Sequence, residues 1–440
     1  VKELQLALAE IKRELLLSPL QIRKIAVEFS QAIKLGLAAK PSPLKMLPSF
    51  LTPPGGGEAG SYLALDLGGT NARAALMDLQ GKGRWDQSLR VSVPLKDPVS
   101  GFDFRSAEAS ASELFDFLAG LVDKVVTSAP AKTYHLGFTF SFPSNQTCLA
   151  RAKLIRWTKE FQTSGVVGED VGGLLEAALE RRGLRIRVKA IINDTVGSLL
   201  TSAYQDQHTS VGSILGTGHN SCYTELHAPI GKEPMIINLE AGNFNLLPFT
   251  PYDQVLDEAS EDRGHQRLEK MVSGKYIGEV ARLIFHQLIV NQLLFKGRGA
   301  AVFTQPYSLE SEQLSLLLAD ASQDLAQTQG WLAGLGISAS HRAERAALQE
   351  IAAAVALRSA RLVAATYLGV QAHTARLQPQ TIAVDGSLYE RMPGYADHLA
   401  AALGEGQAGV GQPLRLRLVK DGSLIGAAIA AAIGSAYETS

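Results

Sequence analysis

Twice in 440 residues the chain runs an apolar strand into a glycine-bearing polar turn and straight back out. The first case is residues 61–79, SYLALDLGGTNARAALMDL. Tyr62-Leu63-Ala64-Leu65 leads to Asp66, then Leu67-Gly68-Gly69-Thr70-Asn71, then a mostly apolar return to Leu79. That spacing predicts a hairpin. Two glycines clear side chains from the bend, so a bulky anion can approach the backbone. Successive N–H groups in such a turn can cradle phosphate oxygens. Asp66, ending a buried strand, is placed to meet a Mg²⁺ that accompanies phosphates, through water. Gly-Gly alone suits any hairpin tip, but the clustering of Asp66, Thr70, Asn71 and Arg73 on this one points to a ligand. The second case is residues 211–226, VGSILGTGHNSCYTEL, where Ile214 to Asn220 parallels Leu65 to Asn71. The echo implies two related α/β halves, each presenting a glycine hairpin to a shared cleft.

A chain of this length has room for two cores. Lys+Arg total 42 and Asp+Glu 43, a net charge of -1, which gives no support for nucleic acid or an anionic membrane as the main partner. Cys148 and Cys222 are too few for a disulfide framework and read as packing thiols in a reducing compartment. The first residues carry charge, and the small-apolar run Leu424 to Ala436 is too short to span a bilayer. A cytoplasmic protein is expected.

Residues 1–39 read as two helices, divided at Ser18-Pro19, and the proline- and glycine-rich stretch to Gly57 reads as a stiff connector. Ser110-Ala111-Ser112-Glu113 is a capping box. Tyr134, Leu136, Phe138, Phe140 and Phe142 alternate, predicting a strand with a polar loop from Ser141 to Gln146 at its carboxyl end, where ligands bind in open α/β sheets. Arg185 to Ile192 predicts another strand, ending at Asn193-Asp194-Thr195 before a helix. There Asp194 suits a site, while Asp194 or Thr195 equally suits a helix cap. The acidic run from Asp253 to Glu269 reads as a solvated face. In the alanine-rich helix Glu344 to Tyr367, Arg358 and Arg361 are expected outward. Two strands end in Asp-Gly-Ser, at Asp385 and Asp421, and the second opens a final helix of small residues suited to close packing.

Taken together, LALDLGGTNARAALMDL, LGFTFSFPSNQT with RWTKEF, IINDTVGSLLTSAY, ILGTGHNSCYTE, the stretch from Phe249 to Glu279, VDGSLYE and VKDGSLIGAAIAAA resemble the hexokinase family in its eukaryotic-type form (hexokinase and glucokinase). They occur in the family's order from about residue 60 onward. The resemblance implies a two-lobed ribonuclease-H-like fold of the sugar-kinase and actin type with an interdomain cleft. Its small lobe is 61–194 plus 424–440, and its large lobe 1–60 plus 195–423.

The resemblance also implies ATP-dependent phosphorylation of a hexose, most simply glucose, at the 6-hydroxyl, with ATP and Mg²⁺ required. It leaves room for another hexose or an amino sugar as substrate, or for a non-catalytic sugar sensor. Asp194 matches the family's catalytic base, with Arg73 and Lys159 assisting. Ser141, Pro143, Thr158, Lys159, Asn193, Asn220, Glu240, Gln266 and Glu269 match the sugar set. Asp66, Gly68, Gly69, Thr70, Asn71 and Arg73 match the first phosphate loop, and Thr217 and Gly218 the second. Lys275, Gly386, Ser387, Gly422 and Ser423 resemble nucleotide contacts. The partners implied are hexose and ATP, for a monomer or homodimer. Departures fall at Glu160, where the family has glycine after Trp-Thr-Lys, at Leu239 to Asn243, in the shortened stretch before Pro251, and at His265. They lie on the rim of the implied sugar pocket and leave the phosphoryl-transfer residues intact.

Overall fold

Both glycine turns form hairpins, and each hairpin seeds a sheet. A computed structural model describes residues 2–97, 99–126, 134–229, 234–407 and 412–437. Ala59–Leu67 returns as Asn71–Gly81 with Asp66 opposite Arg73, and Thr209–Leu215 returns as His219–Glu225 with Ile214 opposite Asn220. The first sheet runs Arg187–Ile192, His135–Phe140, Ala59–Leu67, Asn71–Gly81, Arg84–Pro94. The second runs Leu414–Leu418, Gln380–Asp385, Thr209–Leu215, His219–Glu225, Met235–Asn238, with Leu47–Pro48 added at its edge. In both, the hairpin pairs antiparallel, while the strands on the other side of its first strand run parallel to it. The order is therefore the same in the two sheets, as the sequence echo implies.

Three apolar clusters follow. One fills the space between the first sheet and the helices Ala111–Val126 and Val171–Arg181, with Leu65, Phe138, Leu118 and Leu175 at no measurable exposure. A second, larger one lies beyond the other sheet and takes in the N-terminal helices, Gly274–Val290 and Arg342–Thr374. The third lies around Asp194–Gln205 and Gly422–Tyr437, which pack on each other. A Cβ on Gly426 would stand 2.3 Å from the Gly197 carbonyl oxygen, and one on Gly137 1.8 Å from that of Ala427. Small residues are thus what allows the last helix to lie against its neighbours. Gly426→Val is expected to lower stability by about 1–3 kcal/mol through overpacking, read as a fall in thermal midpoint. An unchanged midpoint would contradict that packing.

The N-terminal helices Lys2–Leu15 and Pro19–Leu37 form as the pattern predicts, with Ser18 and Gln21 closing a capping box. Arg342–Thr374 is long and apolar enough to cross a membrane, but 83% of its apolar window is buried inside the protein, as befits a core helix.

Several local expectations are corrected. Arg358 does not face outward: it is 2% exposed and donates to Asp253 through Nη1 at 2.9 Å and Nη2 at 2.5 Å. Arg361 is half-buried, with Nη2 2.9 Å from Glu405 Oε2. The acidic run is not wholly a solvated face, because Asp253 is buried and Asp257 is paired with buried Lys270 at 2.6 Å. The residues after Phe142 do not form a loop; Ser144–Cys148 is a strand paired with Arg151–Leu154. Cys148 there is exposed and is not a packing thiol, whereas Cys222 is buried, and burial pushes its thiol up to about 12.

Candidate active site

The first glycine turn is built on a buried ionic knot. Asp66, 4% exposed, accepts from Arg73 Nε at 2.9 Å and from its Nη2, and also from Ser423 Oγ at 3.2 Å. Arg73 also donates through Nη1 to Asp421 at 2.6 Å and through Nη2 to Ser423 at 2.9 Å. The Asp66 and Asp421 carboxylates outweigh burial and raise the Arg73 pKa, keeping the guanidinium charged. Above this base the turn is closed by Gly68 N–H donating to Asn71 O at 3.0 Å, leaving Thr70 and Asn71 exposed.

The second turn is held from the large-lobe side. Gly274 N–H donates to Gly216 O at 2.8 Å and Lys275 N–H to Thr217 O at 3.1 Å. Thr217 is exposed, and a Cβ on Gly218 would lie 2.9 Å from Glu269 Oε2. Gly386, at φ +132, packs where a Cβ would meet Leu215 O at 2.3 Å, so only glycine fits. Lys275 and Ser387 are exposed beside this turn, while Gly422 and Ser423 are buried beneath the first one. Ser423 has its hydroxyl committed to Arg73 and Asp66.

Asp194 begins the helix Asp194–Gln205, but the cap is Asn193, whose Oδ1 accepts from Val196 N–H at 3.0 Å. Neither Asp194 nor Thr195 is needed as a cap. The Asp194 backbone N–H is held by Ser141 Oγ at 3.0 Å, which joins the end of one strand to the end of the next. Its carboxylate accepts from its neighbour Thr195 N–H, at 2.9 Å. Burial raises the Asp194 pKa, the Lys159 ammonium opposes, and the Asp66 charge adds to the rise.

Lys159 and Glu160 both take left-handed backbone conformations, φ 57 and 64, which point the lysine back over the site. Its ammonium lies 5.3 Å from the Phe142 ring centre, and its stem would sit 3.7 Å from a Cβ on Gly69. Trp157 is stacked on Phe161 at 5.0 Å and fixes this loop, with Thr158 half-buried and Pro143 O accepting from Ile155 N–H at 2.9 Å.

Across the cleft, Glu240 Oε1 accepts from Asn220 Nδ2 at 3.0 Å and Asn238 Nδ2 at 2.8 Å. Glu269 Oε2 accepts from His219 N–H at 2.9 Å. Both glutamates have raised pKa values, first from burial, and each is also lowered by the Lys159 charge. Asp194 adds to the rise at Glu240, and Glu240 to that at Glu269. These groups therefore feel one another across a single site. Gln266, also left-handed at φ 50, turns its amide oxygen against Gly242, where a Cβ would stand 2.4 Å away.

Three further residues join this arrangement without a role of their own in the sequence analysis. Asp385 ends its strand beside the cleft, where burial pushes its carboxyl up to about 6 although Gly422 N–H donates to it at 3.2 Å. Asp421 ties Arg73 to Arg90, accepting from Arg90 Nη1 at 2.7 Å. Asn238 braces Glu240. The first two sat in plain view as the aspartates of the Asp-Gly-Ser turns. The signal for the third is an Asn two residues before a Glu at a strand end.

Comparison with known proteins agrees with this fold. Two family models, each described as hexokinase, match residues 7–204 and 210–433. Hexokinase-2 of Oryza sativa subsp. japonica is 36% identical over 461 residues, covering 98% of this chain and 91% of its own. A crystal structure of hexokinase superposes with TM-score 0.87 at 34% identity, covering 98% of this chain and 100% of that one. The hexokinase from Schistosoma mansoni complexed with glucose gives TM-score 0.84 at 31% identity, covering 98% and 99%. The two sheets are thus those of the sugar-kinase and actin-type fold, and the chain belongs to the hexokinase family, whose reaction is ATP-dependent phosphorylation of a hexose.

Proposed function

We propose that this chain moves the γ-phosphoryl group of ATP to the 6-hydroxyl of glucose, with Asp194 as the group that takes the hydroxyl proton. A primary hydroxyl is barely acidic, so it needs a positioned acceptor near its oxygen. The observation that carries the reading is the Asp194 carboxylate: held at its backbone by Ser141, bonded at its side chain to Thr195, and raised in pKa by burial. Lys159, facing the same site, balances the acidic side chains and donates toward sugar or phosphoryl oxygens. Glu240, Glu269, Asn193, Asn220 and Gln266 match hexose hydroxyls, each of which needs a partner once buried. Backbone N–H groups at Gly68–Thr70 and Thr217–Gly218 meet phosphoryl oxygens. Gly386, Ser387, Lys275 and Gly422 border the nucleotide.

The donor set fits Mg²⁺ at Asp66. Three donors converge on Oδ2, and among the described residues none is seen on Oδ1; a single carboxylate with substrate phosphates and water is a common Mg²⁺ arrangement. When bound, the ion neutralises phosphate charge. Closure of the lobe 61–194 plus 424–440 on the remainder excludes water and so limits wasteful ATP hydrolysis. The near-balanced charge suits a cytoplasmic enzyme acting on small molecules as a monomer or homodimer.

Coupled detection of ADP release with glucose, fructose, mannose and an amino sugar tests this. Glucose-dependent ADP formation is expected. No turnover with any sugar, despite sugar binding, would favour a sensor. Because Asp194 must be ionised to accept a proton, kcat is expected to fall as pH drops through a value above the ordinary carboxylate pKa of about 4. A kcat profile flat down to that value would remove Asp194 from the proton transfer.

A further inference from the structure

We infer that Asn238 is a positioning residue for hexose recognition, holding Glu240 by its backbone and its carboxylate with one side chain. The inference rests on Glu240 being a hexose acceptor, as proposed above. Glu240 stands at φ 52, ψ 51, a left-handed conformation that a side chain-bearing residue adopts only under constraint. Asn238, two residues earlier and 8% exposed, supplies the constraint. Its Oδ1 accepts from Glu240 N–H at 3.1 Å, a turn closed by an asparagine side chain. Its Nδ2 donates to Glu240 Oε1 at 2.8 Å.

Asn220 completes the brace. Its Nδ2 donates to Asn238 Oδ1 and Glu240 Oε1, both at 3.0 Å. Its Oδ1 accepts from Ser221 N–H at 2.7 Å and Ala241 N–H at 3.1 Å. Those four bonds use the ordinary capacity of an amide. Asn220 therefore also holds the Glu240 carboxylate in place. The carboxylate emerges with Oε1 fixed by two amides and Oε2 directed by them. A hydroxyl meeting Oε2 therefore finds an acceptor whose rotation has been removed beforehand, which is how positioning lowers the cost of binding.

The test measures hexose KM, ATP KM, kcat and thermal midpoint for wild type, Asn238→Ala, Asn238→Ser and Glu240→Gln. Serine keeps a local oxygen for the Glu240 N–H but cannot reach its carboxylate, so it serves if the alanine variant fails to fold. Both Asn238 variants are expected to raise hexose KM about tenfold to a hundredfold, the size of a lost hydrogen bond to a charged group. ATP KM should stay within about twofold, since uniform hexose binding alone has been weakened. A folded Asn238→Ser with unchanged hexose KM, alongside a Glu240→Gln whose KM rises, would overturn the role of Asn238 alone. If Glu240→Gln leaves hexose KM unchanged, the assignment of Glu240 fails and takes this inference with it.

Discussion

Asp194→Ala is expected to bind hexose and to lose about two or more powers of ten in kcat, the scale of general-base contributions. The fold around it should survive. The helix is capped by Asn193, and the Asp194 contact with Ser141 is made by backbone N–H, so neither depends on the deleted carboxylate. Removing it also relieves the mutual repulsion with Asp66 and Glu240. The measurement is kcat by ADP release, paired with hexose titration of intrinsic fluorescence. Trp157 suits that readout, being half-buried beside Thr158 and Lys159 and packed edge-on against Phe142 at 4.8 Å. Turnover within a few-fold of wild type would mean that the proton leaves by another route.

Arg358→Met is expected to destabilise the large lobe by about 3–5 kcal/mol, because it leaves the Asp253 carboxylate buried and unpaired. Arg358 and Asp253 have side chains each 2% exposed, and Asp253 also accepts from Thr250 N–H at 2.8 Å and Thr250 Oγ1 at 2.7 Å as part of a capping box. One substitution thus weakens a long core helix and the start of Pro251–Ala259 together. Adding Asp253→Asn removes the stranded charge while keeping a carbonyl oxygen for Thr250. The double variant should recover much of the loss. Urea unfolding of the two variants decides it; a single variant as stable as wild type would show that the pair is dispensable.

The sequence pattern places Arg358 outward and Asp253 on a solvated face, and the structure differs for a physical reason. A helical stripe in sequence says which positions share a side, not how many sides are covered. Arg342–Thr374 is packed on several sides, by the helices Pro19–Leu37, Tyr395–Gln407 and Gly274–Val290 among others. A charge on its polar stripe therefore meets another helix rather than water. The same limit hid the strand Ser144–Cys148, whose polar residues resemble a loop until Arg151–Leu154 pairs with them.

The glycine hairpins were legible because their demands are local: a tight bend without Cβ atoms, and a polar cluster at the end of an apolar strand. The strand end left Asp194 open between a site and a helix cap, while small residues announced a closely packed last helix. What only the tertiary structure decided was partnership. Asp421 reaches Arg73 and Arg90 from more than three hundred residues away in the chain. The cap at Asn193 sets Asp194 free, and the brace at Asn238 fixes Glu240. Those relations depend on distance between atoms across the fold, which residue order does not specify.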